Sequence, residues 1–424
     1  MTLSTLRTAL VLGGGGARGA YEAGVLAYLR EELEPRLGPL PIDIVSGTSV
    51  GAINAAHVAA NIEHPLHQTR DLIERWRSLS VESLLRFGVS DLLRMGREIV
   101  GGAPPNAARQ GGLVDPFGLR EVVFKGVHWP SIGRAIRRGS LHALAVTATH
   151  VASGRSEVFI QRQGGGVPPW SRDPHLVARA THIGPKHVLA SAAIPLIFPA
   201  VRVRKSMYVD GGLRMNVPLS PALRLGAERV IVVSLRHDPT AAELAKRKPT
   251  EIERVHATAS FLIGKTLDAL LLDRTDQDLE RVRRLNQMLE TGVAAYGPTY
   301  AEVFNSALIH RRGQPVRYVR NILIRPSRDI GELAAAYAAS PEFKRRARGL
   351  AARGILKLAT DRGGAGADLI SYLLFDGGFA DVLIELGRRD ARAQEEEWAR
   401  FWSDAPQSIA ENLHRPLEPP RRTG

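Results

Sequence analysis

Residues 41–60 read PIDIVSGTSVGAINAAHVAA. The apolar run 41–46 reads as a buried strand, Gly47-Thr48-Ser49-Val50-Gly51 as a tight turn, and Ala52–Ala60 as a small-residue helix. The turn matches G-x-S-x-G, in which a serine on a sharp strand-to-helix bend holds its Oγ exposed while small neighbours let the chain approach itself closely. The helix that follows places a positive dipole end beside Ser49, where an oxyanion would develop. One unit upstream the pattern repeats. Thr8–Leu12 (TALVL) is a strand, Gly13–Gly19 (GGGGARG) a turn, and Ala17 to Leu33 a helical pattern. Two successive strand–turn–helix units predict an α/β fold with three layers, a mostly parallel sheet flanked by helices.

Working outward, 141–149 and 156–161 read as strands joined at Ser153-Gly154, and 163–169 as a Gly/Pro loop. A short helix over 184–193 stops before Pro195, Met207–Val209 is a short strand ending in Asp210-Gly211-Gly212, and 229–234 is another buried strand. Beyond about 240 the texture changes. Helical spacing of Leu262, Leu267, Leu270, Leu271, Leu279, Val282, Leu285 and Leu289 predicts a long helix over 251–290. A strand is expected at Tyr318–Ile324, and helices over 330–403 with a break near 363–366. The expected organisation is a catalytic α/β domain over 1–240, a mainly helical extension over 241–415 packed on it, and a disordered tail over 416–424.

The chain has 424 residues, 44% hydrophobic and 24% charged, enough to bury a large core. It contains no cysteine, which excludes disulfides, Cys-ligated zinc, iron–sulfur clusters and a thiol nucleophile. The formal charge is +14, with 28 basic against 18 acidic side chains in residues 1–240. Such an excess favours anionic partners, or simply tunes solubility. The apolar run after Arg7 is shorter than a signal-peptide core. No stretch approaches the ~20 apolar residues of a membrane-spanning helix. The expectation is a cytoplasmic or peripheral protein.

The glycine loop admits two readings. Gly14, Gly16 and Gly19 satisfy G-x-G-x-x-G, a dinucleotide-binding pattern that also requires an acidic residue at the tip of the second strand. Asp43 lies before that tip, and the tip itself carries Ser49. The alternative is an oxyanion hole built from backbone N–H groups. A nucleophilic serine needs a base, and His142, His150, His182 and His187 have no distinguishing context. Asp210 stands at a strand end before a permissive turn and could accept the Ser49 proton if burial raises its basicity. The same tripeptide recurs at Asp376-Gly377-Gly378 and serves as an internal control.

Four segments, GGGGARGAYEAGVL (13–26), IVSGTSVGAINAA (44–56), ASAAIPLIFPAV (190–201) and YVDGGLRMNVPL (208–219), resemble in order and spacing the blocks of the patatin-like phospholipase family. The resemblance covers about residues 8–235. It implies a Ser–Asp dyad hydrolase without a catalytic histidine, with Ser49 as nucleophile, Asp210 as base, and the amides of Gly14, Gly15 and Gly16 as oxyanion hole. Gly19, Gly47, Gly51, Gly211 and Gly212 would support the motifs. Arg18 would lie near a phosphate, orient the loop or form a structural ion pair. The implied substrate is a phospholipid or other fatty acyl ester, cleaved by phospholipase A or lysophospholipase chemistry without metal or cofactor. A non-phospholipid esterase or triacylglycerol lipase on the same dyad remains open, as do a nucleotide-binding module and a catalytically silent lipid binder. No nucleic-acid partner is expected, and the oligomeric state is left open.

An acyl chain needs an apolar groove, for which Ala190–Pro199 and parts of 80–100 are candidates. The apolar face of 81–95 (Val81, Leu84, Leu85, Val89, Leu92, Leu93) beside Arg86 and Arg94 reads as a membrane-touching lid or as core packing. The cluster Lys344, Arg345, Arg346 and Arg348 reads as an anionic-lipid contact or a solvated helix face.

Overall fold

The computed structural model describes residues 6–84, 115–170, 173–195, 197–240, 264, 275–312, 315–360 and 366–403. The expected lid beyond residue 84, most of the long helix before residue 275, the break at 361–365 and the tail over 416–424 lie outside them.

Among the described residues, nine strands form one sheet: β1 (Thr8–Leu12), β2 (Ile44–Thr48), β3 (Ala143–His150), β4 (Ser156–Arg162), β5 (Leu176–Ala180), β6 (Val201–Val203), β7 (Ser206–Asp210), β8 (Arg229–Val233) and β9 (Arg320–Ile324). The main path runs β5-β4-β3-β2-β1-β8-β9, with β7 paired to β3 and β6 to β7. β1 lies between β2 and β8, parallel to both. The antiparallel pairs are β3 with β4, β3 with β7, and β6 with β7.

The sheet has a covered face on each side: its central strands β1, β2 and β8 are buried at every position. Along β1, Leu10 and Leu12 join one core cluster, whereas Ala9 and Val11 join the other. The first cluster takes in the Ala20–Ala27 and Val50–Ala60 helices, and the second takes in Leu219 and Ala222 from the Leu219–Arg224 helix and Leu279 and Val282 from the Thr275–Tyr296 helix. The period-2 alternation of a strand thus produces the three expected layers.

Residues beyond 240 complete this core. β9 pairs parallel with β8 at the sheet edge. The Gly377–Arg392 helix lies against Ala20–Ala27 closely enough that a Cβ on Gly24 would stand 2.0 Å from the Ile384 carbonyl oxygen, and one on Gly387 2.2 Å from that of Tyr21.

Two strands had no counterpart in the sequence reading. β5 is half exposed and its sequence, LVARA, is short and mixed. β6 has three residues and turns into β7 through Arg204-Lys205, with Arg204 at φ 53°. Hairpin turns of this length are signalled by Asn or Gly, and neither is present.

Candidate functional site

β3 acts as the ruler on which the site is assembled. Its one edge pairs with β4 over Ala143–Thr149. On the other edge β2 pairs as far as Thr48 opposite Thr147, and β7 takes the next rung, with Asp210 opposite Ala148. Parallel β2 and antiparallel β7 therefore end head to head. Ser49 and Asp210, 161 positions apart in sequence, meet where they end, and Ser49 Oγ donates to Asp210 Oδ2 at 2.5 Å.

Ser49 sits at φ 56°, ψ −126°, one of two non-glycine residues with positive φ among the described residues. Such a conformation costs about 1–3 kcal/mol and persists only where its surroundings hold it. A serine at a helix N-cap ordinarily turns its side chain onto the first-turn amides. This one makes no such bond, and its hydroxyl faces the carboxylate instead. Gly51 makes the bend possible: a Cβ there would lie 2.4 Å from the Leu12 carbonyl oxygen, and one on Gly47 2.3 Å from that of Gly51.

Asp210 is fully buried, and Oδ1 accepts the Gly212 amide at 2.7 Å. Its backbone is pinned on both sides, the amide donating to Ala193 O at 2.9 Å and the carbonyl accepting Thr149 Oγ1 at 2.9 Å. Burial pushes its carboxyl up to about 7, outweighing the Ser49 and Gly212 hydrogen bonds, which favour the charged form.

The glycine loop closes over this pair. A Cβ on Gly14 would lie 3.0 Å from Ser49 Cβ. The Gly14 amide donates to Asn216 O at 3.1 Å and its carbonyl accepts Asn216 Nδ2 at 3.2 Å. The N–H of Gly14 is therefore already engaged, contrary to the expectation that all three glycines present donors. Gly15 and Gly16 have no such backbone acceptor among the described residues. Gly16 must be glycine twice over, with φ 58° and the Tyr372 carbonyl oxygen 2.4 Å from where its Cβ would stand.

Tyr372 belongs to the C-terminal helix Ala367–Leu373, which also receives Arg18. Arg18 Nε donates to Ser371 Oγ at 2.8 Å, its guanidinium lies 4.1 Å over the Tyr372 ring, and Nη2 is 3.8 Å from Asp368 Oδ1. The side chain is buried against the extension, so it anchors the loop from behind. Gly19 packs against Val50 and Trp76, and Gly211 lies against the Thr147 carbonyl.

Four further residues, Ser191, Asn216, Asn54 and Glu22, hold the site together. Ser191 Oγ accepts the Ser49 amide at 2.9 Å and donates to Thr147 O at 2.6 Å. Asn216 clamps Gly14. Asn54 Nδ2 donates to Gly19 O at 3.0 Å and to Glu22 Oε2 at 2.7 Å, tying the serine helix to the glycine-loop helix, and burial drives the Glu22 carboxyl well up. For Ser191 the available signal was a lone polar residue inside the otherwise small and apolar block 190–201.

The four candidate histidines stand elsewhere. His150 Nδ1 pairs with Ser153 Oγ, His187 Nδ1 accepts the Gly184 amide, and His182 lies 3.5 Å from Gln161 Nε2. His142 is driven down to about 4, mainly by burial. Asp43 accepts the Thr8 amide at 2.7 Å at the start of β1, the end away from the glycine loop, so it has no ribose to meet there.

The control tripeptide is an N-cap. Asp376 Oδ1 accepts the amides of Gly378 and Phe379, Tyr337 OH at 2.8 Å and Arg346 Nη1 at 3.2 Å. Of the basic cluster, Arg346 is thereby engaged, whereas Lys344, Arg345 and Arg348 are exposed. Asp376→Asn is expected to leave hydrolytic kcat within about twofold. Asp376→Ala should lower stability by roughly 1–2 kcal/mol through loss of the cap. Urea denaturation beside a rate assay checks both.

A family model described as patatin-like phospholipase matches residues 10–223. A cGAMP-activated phospholipase of Pseudomonas aeruginosa is 31% identical over 217 residues, 49% of this chain and 53% of that protein. An uncharacterized NTE family protein of Mycobacterium tuberculosis is 27% identical over 281 residues, 64% of this chain and 61% of its own. The chain thus spans little more than half the length of these relatives. Among solved structures, VipD from Legionella pneumophila aligns with 65% of this chain and 58% of its own at 14% identity and a TM-score of 0.28, too low to bear on the fold. No helix among the described residues is long and apolar enough to cross a membrane.

Proposed function

Since the chain belongs to the patatin-like phospholipase family, we propose that it hydrolyses fatty acyl esters of phospholipids or lysophospholipids, with Ser49 as nucleophile and Asp210 as its base. The observation that carries this reading is the 2.5 Å hydrogen bond from Ser49 Oγ to a fully buried carboxylate.

In the first step Ser49 Oγ attacks the ester carbonyl carbon while its proton passes to Asp210 Oδ2. The amides of Gly15 and Gly16 are the donors left for the oxyanion, with Gly14 held as the close-approach residue. Collapse of the tetrahedral intermediate expels the alcohol, which takes the proton from Asp210, and leaves an acyl ester on Ser49. Water then attacks the acyl carbon as its proton passes to Asp210, the second tetrahedral intermediate breaks the acyl–Oγ bond, Ser49 Oγ takes the proton back from Asp210, and the fatty acid departs. A carboxylate of ordinary basicity is a poor acceptor for a serine proton; burial that brings Asp210 to about 7 improves the match.

This gives a pH prediction. Asp210 acts when ionised, so kcat/KM should rise with pH and level off above about 7. A rise of about tenfold from pH 6 to pH 8 is expected for one ionisation at that midpoint. A flat profile over that range would contradict the assignment of a buried carboxylate base. The substrate class is tested with phosphatidylcholine, lysophosphatidylcholine and trioleoylglycerol, measuring fatty acid release. Release from the first two supports the proposal, and release from trioleoylglycerol alone replaces it with a neutral-lipid esterase.

A further inference from the structure

We propose that the face formed by the Phe117–Gly126 helix, the Pro185–Ser191 helix and the β6–β7 hairpin docks on an anionic phospholipid bilayer. A cavity of about 340 Å³ opens there, with Leu119, Phe124, Leu189, Phe198 and Met207 among its apolar lining. Arg120, Lys186 and Arg202 line the same cavity, and all three are exposed. None of these three cations has an anionic partner among the described residues. The chain from 174 to 209 contains no Asp or Glu at all, although it supplies Arg204 and Lys205 at the hairpin turn as well. Beside these cations, Phe117 is 48% and Phe124 43% exposed.

Unneutralised cations around an apolar opening, with half-exposed aromatic rings at its edge, match an interface that is anionic at headgroup depth and apolar just below. A nucleic acid would use the charges and leave the phenylalanines in water. An acidic protein surface would satisfy the charges without filling the cavity.

The location also fits. Leu189 lies on the helix that carries Ser191, Ala193, whose carbonyl receives the Asp210 amide, is among the lining residues, and Met207 is on the strand that ends in Asp210. A bilayer seated here rests on the elements that hold the Ser49–Asp210 pair. The functional meaning of the surface depends on the lipid-hydrolase reading, whereas its test does not.

The test uses the full chain carrying Ser49→Ala, so that vesicles stay intact, in co-sedimentation with vesicles of phosphatidylcholine alone or mixed with phosphatidylglycerol. Binding to the mixed vesicles and little to the neutral ones is expected, weakening at 0.5 M salt as the charges are screened. Each removed cation should cost about fivefold in affinity, and Arg120→Gln/Lys186→Gln/Arg202→Gln together on the order of 100-fold. Phe117→Ser/Phe124→Ser should weaken binding further at constant charge. These side chains are exposed, and an unchanged thermal melt confirms that the variants fold. Equal binding by the triple variant, equal binding to neutral vesicles, or no binding to either overturns the proposal. So does self-association in solution that the triple variant abolishes, which would give this face to a second copy of the chain. Because no hydrolysis is measured, a wrong catalytic assignment leaves this result unaffected.

Discussion

Ser49→Ala is expected to lower kcat for ester hydrolysis by ~10⁴-fold or more, the scale on which removal of a serine nucleophile acts. The reason is local. Ser49 is held at φ 56° by the bend between β2 and the Val50–Ala60 helix, and its Oγ already donates to Asp210. Alanine keeps the bend and removes only the attacking atom. The fold should survive, because the Ser49 amide still donates to Ser191 and the strand pairing of β2 is untouched. Asp210 loses a donor, so its buried carboxyl should shift further towards the protonated form. Ser49→Gly is equally inactive on this account, yet relieves the backbone and should unfold at higher denaturant than Ser49→Ala by about 1 kcal/mol. Activity retained in either variant would place the nucleophile elsewhere.

Asp210→Asn should be comparably damaging to turnover, on the order of 10⁴-fold, since an amide cannot accept the serine proton. Its effect on stability should have the opposite sign. The folded-state carboxyl lies at about 7 against an ordinary 3.8. A carboxyl raised in the folded state binds its proton more tightly there than in the unfolded chain. Wild-type stability therefore falls as pH climbs from about 4 through about 7, where a charge must be kept in the core. Asparagine carries no such charge. The variant should be more stable than wild type at pH 8 by a few kcal/mol, and the gap should close towards pH 4. Loss of turnover together with gain of stability separates a catalytic carboxylate from a structural one. Asp376→Ala should do the reverse, losing stability and keeping turnover, because its carboxylate serves amides, a phenol and an arginine. If the two aspartates lost turnover equally, the choice of Asp210 would be wrong.

These two aspartates also mark how far the sequence can be read. Both stand in Asp-Gly-Gly, and both cap the amide two residues ahead. What distinguishes them is the second neighbour of each carboxylate, and that depends on strand pairing. Asp210 meets Ser49 only because β7 takes the rung of β3 next to the one where β2 stops. Periodicity identifies β2, β3 and β7 as strands but says nothing of that register. The layered sheet was legible for the opposite reason. Apolar runs such as RVIVV at 229–233 are continuous, and continuity alone requires cover on both faces. The glycine loop was half legible. Its composition suggested donors, but the engagement of the Gly14 amide by Asn216 is a contact across 202 positions. Arg18 was similarly ambiguous, since its partners Ser371, Tyr372 and Asp368 come from the extension, where no motif pointed.

Those contacts give the extension a place in the site. The Ala367–Leu373 helix presses the Tyr372 carbonyl against Gly16 and holds Arg18 two residues further on. The loop that would donate to the oxyanion is thus set between Asn216 on one side and the extension on the other.

The most direct measurement is covalent capture. A fluorophosphonate reacts with an activated serine and leaves a stable phosphonyl ester, so the intact mass after treatment counts modified sites and peptide mapping locates them. The account requires one adduct per chain on the peptide containing Ser49 in the wild type, and almost none in Asp210→Asn, whose serine has lost its base. An adduct on another serine, or undiminished labelling of Ser49 in Asp210→Asn, would contradict it.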